Sequence, residues 1–147
     1  MEELKINIPE GYEIDKENST FGCVKFKKIN TIKWNSSKFG VEIQKDGEHF
    51  LVSAKPSMVM SWHDAVRFYK DNKVWQLPTR EHLKLIAEHL HEVNALIKAN
   101  GGYKIRCWHW AADEYDKFCA WGVYMLDGDT SYDSKDDDGY VRPVCVL

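Results

Sequence analysis

The run Trp75-Gln76-Leu77-Pro78-Thr79-Arg80-Glu81 constrains the fold more than any other stretch of this chain. Pro78 has no amide hydrogen for a ladder and drives Leu77 toward an extended conformation, so a strand or bend ends there. Thr79 then offers a hydroxyl to cap a helix, with Glu81 near the positive end of its dipole. Upstream, residues 61–70 read as a short amphipathic helix. Ser61 caps it, Asp64 can return the bond as in a capping box, and Trp62, Ala65, Val66 and Tyr69 share one face at helical spacing. Downstream, Leu83, Ile86, Leu90, Val93 and Ile97 predict one continuous helix over 79–100. Asn100-Gly101-Gly102 closes it, glycine tolerating the left-handed conformation past the last turn.

Outside the helices the apolar period is two. Val41 and Ile43 alternate with Glu42 and Gln44, Asp46-Gly47 supplies a turn, and residues 49–53 return as the second arm of a hairpin. Leu4, Ile6 and Ile8 alternate as a short strand before Pro9 and Gly11 break it. Residues 21–27 predict another strand, and 29–38 a connecting loop anchored by Trp34. Beyond Gly102, strands are expected over 104–110, 118–126 and 140–146. The middle one carries apolar groups on both faces and so belongs inside a sheet. Pro143 places an edge or a bulge in the last. Residues 127–139 form an acidic loop. The expected architecture is a single α+β domain over 1–147: N-terminal strands and a β-hairpin over 1–60, then two helices packed on a small twisted antiparallel sheet with long C-terminal loops.

Composition sets outer limits. A chain of 147 residues with 44% apolar content can bury a core without metal or disulfide staples. A net charge of −3 argues against nucleic acid as partner. No apolar stretch is long enough for a bilayer, so no membrane partner is expected. The first residues lack the basic start and apolar core of a secretory signal, and a cytoplasmic location follows as the expectation. Cys23, Cys107, Cys119 and Cys145 show neither Cys-x-x-Cys nor zinc-finger spacing and are expected as reduced thiols. Under export, Cys107 and Cys119 would be the first pair to suspect, as flanks of a hairpin.

The ligand-binding candidates are His109, Trp110, Asp113, Glu114, Tyr115, Tyr124, Asp129, Tyr132 and Asp133. If Trp108 points inward, His109 points out and Trp110 opens a loop carrying the acidic residues. Rigid aromatics beside short polar groups lose little rotamer entropy on binding. The alternative is that Trp110 and Tyr124 merely pack a second small core. Asp127, Asp129, Asp133, Asp136, Asp137 and Asp138 raise weak calcium binding, but no bidentate glutamate follows at the spacing of an EF-hand, and a solvated turn is the plainer reading. His82, His89 and His91 lack the His-Glu-x-x-His arrangement of a metal site and are read as surface residues. With no phosphate-binding glycine loop and no Ser-His-Asp order, no catalytic residue and no cofactor is assigned.

Several short motifs in order carry a resemblance: Trp62 and Ala65; the Trp75 to Thr79 run with Leu83; Cys107-Trp108-His109-Trp110; Ala120-Trp121; and Tyr140-Val141-Arg142-Pro143-Val144. Together, over residues 60–147, they resemble the Lcl-type C-terminal domain family of bacterial and phage proteins. That family's pattern runs Trp-x-x-Ala, Trp-Arg-Leu-Pro-Thr-x-x-Glu-Leu, a Tyr-Trp-Ser-Ser-like strand, Ala-Trp and a closing Val-Arg-Pro. Gln76 departs from the usual arginine and His109-Trp110 from the two serines. The Glu-Pro-Asn, Gln-Pro-Asp and Trp-Asn-Asp motifs of calcium-dependent sugar-binding lectins are missing. The resemblance implies a C-type lectin-like fold and a non-catalytic module that binds a protein or glycan through its C-terminal loops, free in the cytoplasm or carried on a phage particle. Related lectin-like domains include the variable proteins of diversity-generating retroelements, whose ligand surface lies in this same half. Two rival classes follow. The formylglycine-generating oxidases share a lectin-related fold and use a cysteine pair, which makes Cys107 and Cys119 an enzymatic alternative. The other rival is a structural subunit of a phage or surface assembly.

Overall fold

The computed structural model describes residues 7–8, 12–20, 22–28 and 30–147. The Asp46-Gly47 turn folds as its residue types dictate. Both residues take positive φ (53° and 84°), and Lys45 pairs directly with Glu48, so a two-residue turn of matching twist joins β4 (Gly40–Lys45) to β5 (Glu48–Ser53). β3 (Thr31–Asn35) pairs with β4 on one side, and β11 (Val144–Val146) with β5 on the other, completing a four-stranded antiparallel sheet in the order β11-β5-β4-β3. β3 replaces the connecting loop expected over 29–38. Ile32 and Trp34 alternate with exposed Lys33 and pack against the core, a period too short to stand out in the sequence.

A second sheet runs β6 (Met58–Ser61), β10 (Asp138–Val141), β7 (Trp108–Glu114), β8 (Cys119–Tyr124) and β9 (Thr130–Ser134). Among the described pairings of this sheet, only β10 with β7 is parallel. β8 lies inside it, as its two apolar faces require. The presence of β9 corrects the acidic loop of 127–139: five of those residues form a strand against β8, after a turn at Gly128.

The strand expected over 140–146 divides at Arg142-Pro143, and its halves enter different sheets as β10 and β11. Proline cannot continue a ladder; here it marks a crossing between the sheets, and β11, which follows it, is an edge strand as Pro143 implies. The guanidinium of Arg142 is buried at the corner. It donates to the carbonyls of Ser53 (3.0 Å), Tyr103 (2.8 Å) and Lys104 (3.1 Å) and to Ser57 Oγ (2.9 Å). Burial lowers its pKa to about 10, which leaves it charged.

α1 (Trp62–Tyr69) is capped by Ser61, whose Oγ accepts the Asp64 amide at 3.1 Å. The Asp64 carboxylate meets Arg67 at 3.3 Å rather than closing a capping box. Trp62, Ala65 and Tyr69 are buried as expected, but Val66 stays 38% exposed. The helix expected over 79–100 is two helices, α2 (Arg80–Glu88) and α3 (Leu90–Ala99), so the described residues hold three rather than two. His89 leaves helical geometry (φ −113°, ψ 24°) where Lys45 Nζ reaches both its ring (3.0 Å) and Glu88 (2.6 Å). The apolar stripe survives the break: Leu83, Ile86, Val93 and Ile97 are all buried. At the start of α2, Thr79 Oγ1 accepts the His82 amide (3.2 Å) and His82 Nδ1 accepts the Thr79 amide (3.1 Å). His82 thus closes the capping box and packs against Phe50, with ring centroids 4.4 Å apart and planes tilted by 39°. It is a buried structural residue, not the surface residue the sequence suggested.

Two cores result. The larger joins Val41, Ile43, Phe50 and Val52 to the α2–α3 stripe and to Val123, Met125 and Val144. The smaller holds Trp62, Ala65, Tyr69, Leu77, Trp110, Ala120 and Val141. Toward the N-terminus, β1 (Tyr12–Ile14) and β2 (Phe26–Lys28) form a two-stranded ribbon. Most of the strand expected over 21–27 is therefore not strand: Cys23 makes an isolated bridge to Thr20, and Phe21 lies outside the described residues. Leu4 and Ile6 also lie outside them. Among the described residues, no helix is long and apolar enough to cross a membrane.

Candidate recognition face

The β7–β8 turn and β9 converge on one aromatic cluster. In the turn, the amides of Tyr115 and Asp116 bond the Cys119 carbonyl (3.0 and 3.1 Å), and Asp116 Oδ1 accepts the amides of Phe118 (2.8 Å) and Cys119 (2.7 Å). This tight loop lays the Tyr115 ring flat on Tyr132, with centroids 3.8 Å apart and planes 2° from parallel. Tyr132 is the cross-strand partner of Trp121, so both side chains rise from the same face. Trp121 stands edge-on to both tyrosines, at 5.3 and 5.6 Å and 88°. A hydrogen bond to Tyr132 raises the Tyr115 phenol pKa. Tyr115 is 47% exposed and Tyr132 49%.

Arg80, the first residue of α2, lies over Trp121 with its guanidinium carbon 4.4 Å from the ring centroid. The Pro78 bend holds it there. Pro78 O accepts the Ala112 amide at 2.8 Å, and Asp113 Oδ1 accepts the Arg80 amide at 2.8 Å, so two bonds fasten the helix start to β7. The guanidinium itself makes no hydrogen bond or ion pair with a described residue. Its Nε is sealed from solvent without a partner, which costs about 1–3 kcal/mol. Arg80 and Trp121 belong to this cluster, which the sequence did not reveal. Trp121 joins it only through its pairing with β9.

The other expected binding residues scatter. His109 is fully buried, a correction to its expected outward placement, and Trp110 packs in the smaller core, the alternative the sequence left open for it. Strand alternation does send Trp108 and His109 to opposite faces, but β7 is covered on both. Trp110 donates to Met60 O (3.1 Å) and Trp108 to Ser131 Oγ (2.9 Å). Their rings cross Gly122 and Gly139, where an added Cβ would sit 2.0 Å from Trp108 and 2.6 Å from Trp110. His109 Nε2 is 2.8 Å from Ser57 Oγ. That oxygen already accepts from Arg142, so the Ser57 proton goes to His109 and Nδ1–H faces the Cys107 carbonyl at 3.3 Å. Burial holds the His109 pKa down to about 4, leaving the ring neutral.

Asp113 serves the α2 start, as above. Glu114 sits 3.5 Å from Lys135 Nζ, which lies buried over Trp62 (4.7 Å) and donates to Lys117 O (3.1 Å). By strand alternation Glu114, Tyr124 and Asp133 leave the sheet on the side opposite Trp121 and Tyr132. Of the nine candidates, only Tyr115 and Tyr132 come together on the cluster.

The aspartates proposed for calcium do not converge. Asp127 accepts the Asp129 amide (2.9 Å), Asp133 the Ser134 amide (2.7 Å), and Asp136 lies 3.7 Å from His63. Asp137 hydrogen-bonds Asp133, which raises its pKa. Among the described residues, no three histidine, cysteine or acidic side chains are arranged to hold a metal ion. All four cysteines are free. Cys107 bonds Met125 across the β7–β8 hairpin, whereas Cys119 pairs with Ser134 at its other end. At about 3.3 Å per residue along β8 the two lie roughly 20 Å apart, far beyond the ~7 Å a disulfide spans. Burial, with Asp116, Asp133 and Asp137 nearby, raises the Cys119 pKa.

The chain matches no protein-family model and no curated protein.

Proposed function

We propose that this chain is a non-catalytic recognition domain of C-type lectin-like type, binding a protein or glycan ligand on the face formed by Tyr115, Trp121, Tyr132 and Arg80. The observation that carries the reading is the interlocked ring cluster itself: two half-exposed tyrosines stacked on each other, a tryptophan set edge-on, and a guanidinium laid across it. Tyrosine, tryptophan and arginine dominate the energetics of binding surfaces, and rings already locked in place lose little entropy on complexation. The helices packed on small sheets, with the exposed rings on the C-terminal strands, suit the lectin-like architecture that the motifs resemble. The oxidase alternative is disfavoured by the separation of Cys107 from Cys119 and by the raised pKa of the Cys119 thiol.

The test is selection of binders from displayed random peptides and from a glycan array, followed by titration against variants. Tyr132→Ala and Trp121→Ala are expected to weaken the selected binders by at least about tenfold, roughly 1.4 kcal/mol. Circular dichroism should show the fold intact. Binders whose affinity neither substitution changes would place recognition elsewhere and defeat the reading.

A further inference from the structure

We infer that this face receives an acidic side chain of a protein partner, with the Arg80 guanidinium taking its carboxylate while Tyr115 and Tyr132 contact apolar neighbours. The inference rests on the recognition reading above and names its chemistry. Arg80 is held in place twice over, by its backbone bond to Asp113 and by the Trp121 ring beneath it, yet its guanidinium has no partner among the described residues. Asp113 has Oδ1 engaged by the Arg80 amide and forms no ion pair with the guanidinium. The terminal nitrogens are not sealed as Nε is, and so remain open to a ligand. A planar guanidinium fixed in this way matches a carboxylate in charge and shape.

The surroundings favour a protein over a sugar acid. A pyranose stacks on an open ring face, but Arg80 takes one face of Trp121, and Tyr115 and Tyr132 each take one face of the other. Tyr115 and Tyr132 remain half-exposed beside the Arg80–Trp121 pair, an apolar border to the guanidinium. Asp116, close enough to act on the Tyr115 phenol, would repel a polyanion and leave room for a lone carboxylate.

The probe is the capped tripeptide acetyl-Leu-Glu-Phe-amide, compared with its glutamine counterpart and with methyl glucuronide. Binding is followed on the intact chain through the Arg80 Nε–H and Trp121 indole N–H resonances. The glutamate peptide is expected to shift both saturably and to bind at least about tenfold more tightly than the glutamine peptide, with Arg80→Gln erasing that difference. Equal responses to the two peptides, no response, or a preference for the glucuronide would overturn the inference. If binders selected as above depend on Tyr132 but are indifferent to Arg80→Gln, this inference fails while the recognition reading stands. If they ignore both residues, both fail.

Discussion

His109 shows how one buried ring couples solution chemistry to the fold. In the folded chain its pKa lies at about 4 because burial penalises the imidazolium, with the Arg142 cation adding to the effect; the ordinary value is 6.5. The unfolded chain therefore binds a proton as pH falls below about 6.5, while the folded chain resists until about 4. The native state keeps its full margin above 6.5 and loses stability across that window, by about 3 kcal/mol in all. His82, lowered by burial, acts in the same direction. Urea midpoints measured from neutral pH to about 4 should fall steadily, and His109→Phe should flatten the slope; an unchanged slope would contradict the burial. The same residue shows where reading residue by residue stopped. Alternation along β7 was legible, and so were Tyr115 and Tyr132 as exposed rings. Whether a second layer covers the outward face of a strand depends on partners dozens of residues away, such as Met60 and Ser57.

At the scale of elements, what local chemistry determines was readable: the Asp46-Gly47 turn, the Ser61 and Thr79 caps, and the glycine end of α3. β9 was not, because Thr130-Ser131-Tyr132-Asp133-Ser134 has almost no apolar alternation and is a strand only through its bonds to β8. Arg80 was hidden for the same reason: its role depends on Trp121 lying opposite, a contact no spacing encodes. The Thr79 cap ties the two levels together, since it begins the helix whose first residue is Arg80. Thr79→Ala should cost about 1 kcal/mol of stability in chemical denaturation. It should also loosen Arg80 over Trp121, visible as a shift of that indole resonance; a variant as stable as the parent would show that His82 alone holds the helix start.

Across the whole molecule, Arg142 is the joint. Its four bonds reach Ser53, Ser57, Tyr103 and Lys104, binding the crossing between the sheets to the end of β5 and the segment after it, and to the segment after α3. Replacing it with glutamine leaves several buried acceptors without donors, and a loss of about 3–5 kcal/mol is expected. Differential scanning calorimetry should show one transition at lower temperature if both sheets depend on this joint; two separated transitions would show that they fold independently.

The crossing at Pro143 also has a consequence for how the chain is made. β11 pairs with β5, Cys145 opposite Leu51, across about ninety residues of chain. During translation the β5 edge must wait, unzipped, through the synthesis of all three helices and the whole second sheet. Contacts that distant form slowly. That waiting edge is where a nascent chain is most open to pairing with a neighbour on the same polysome.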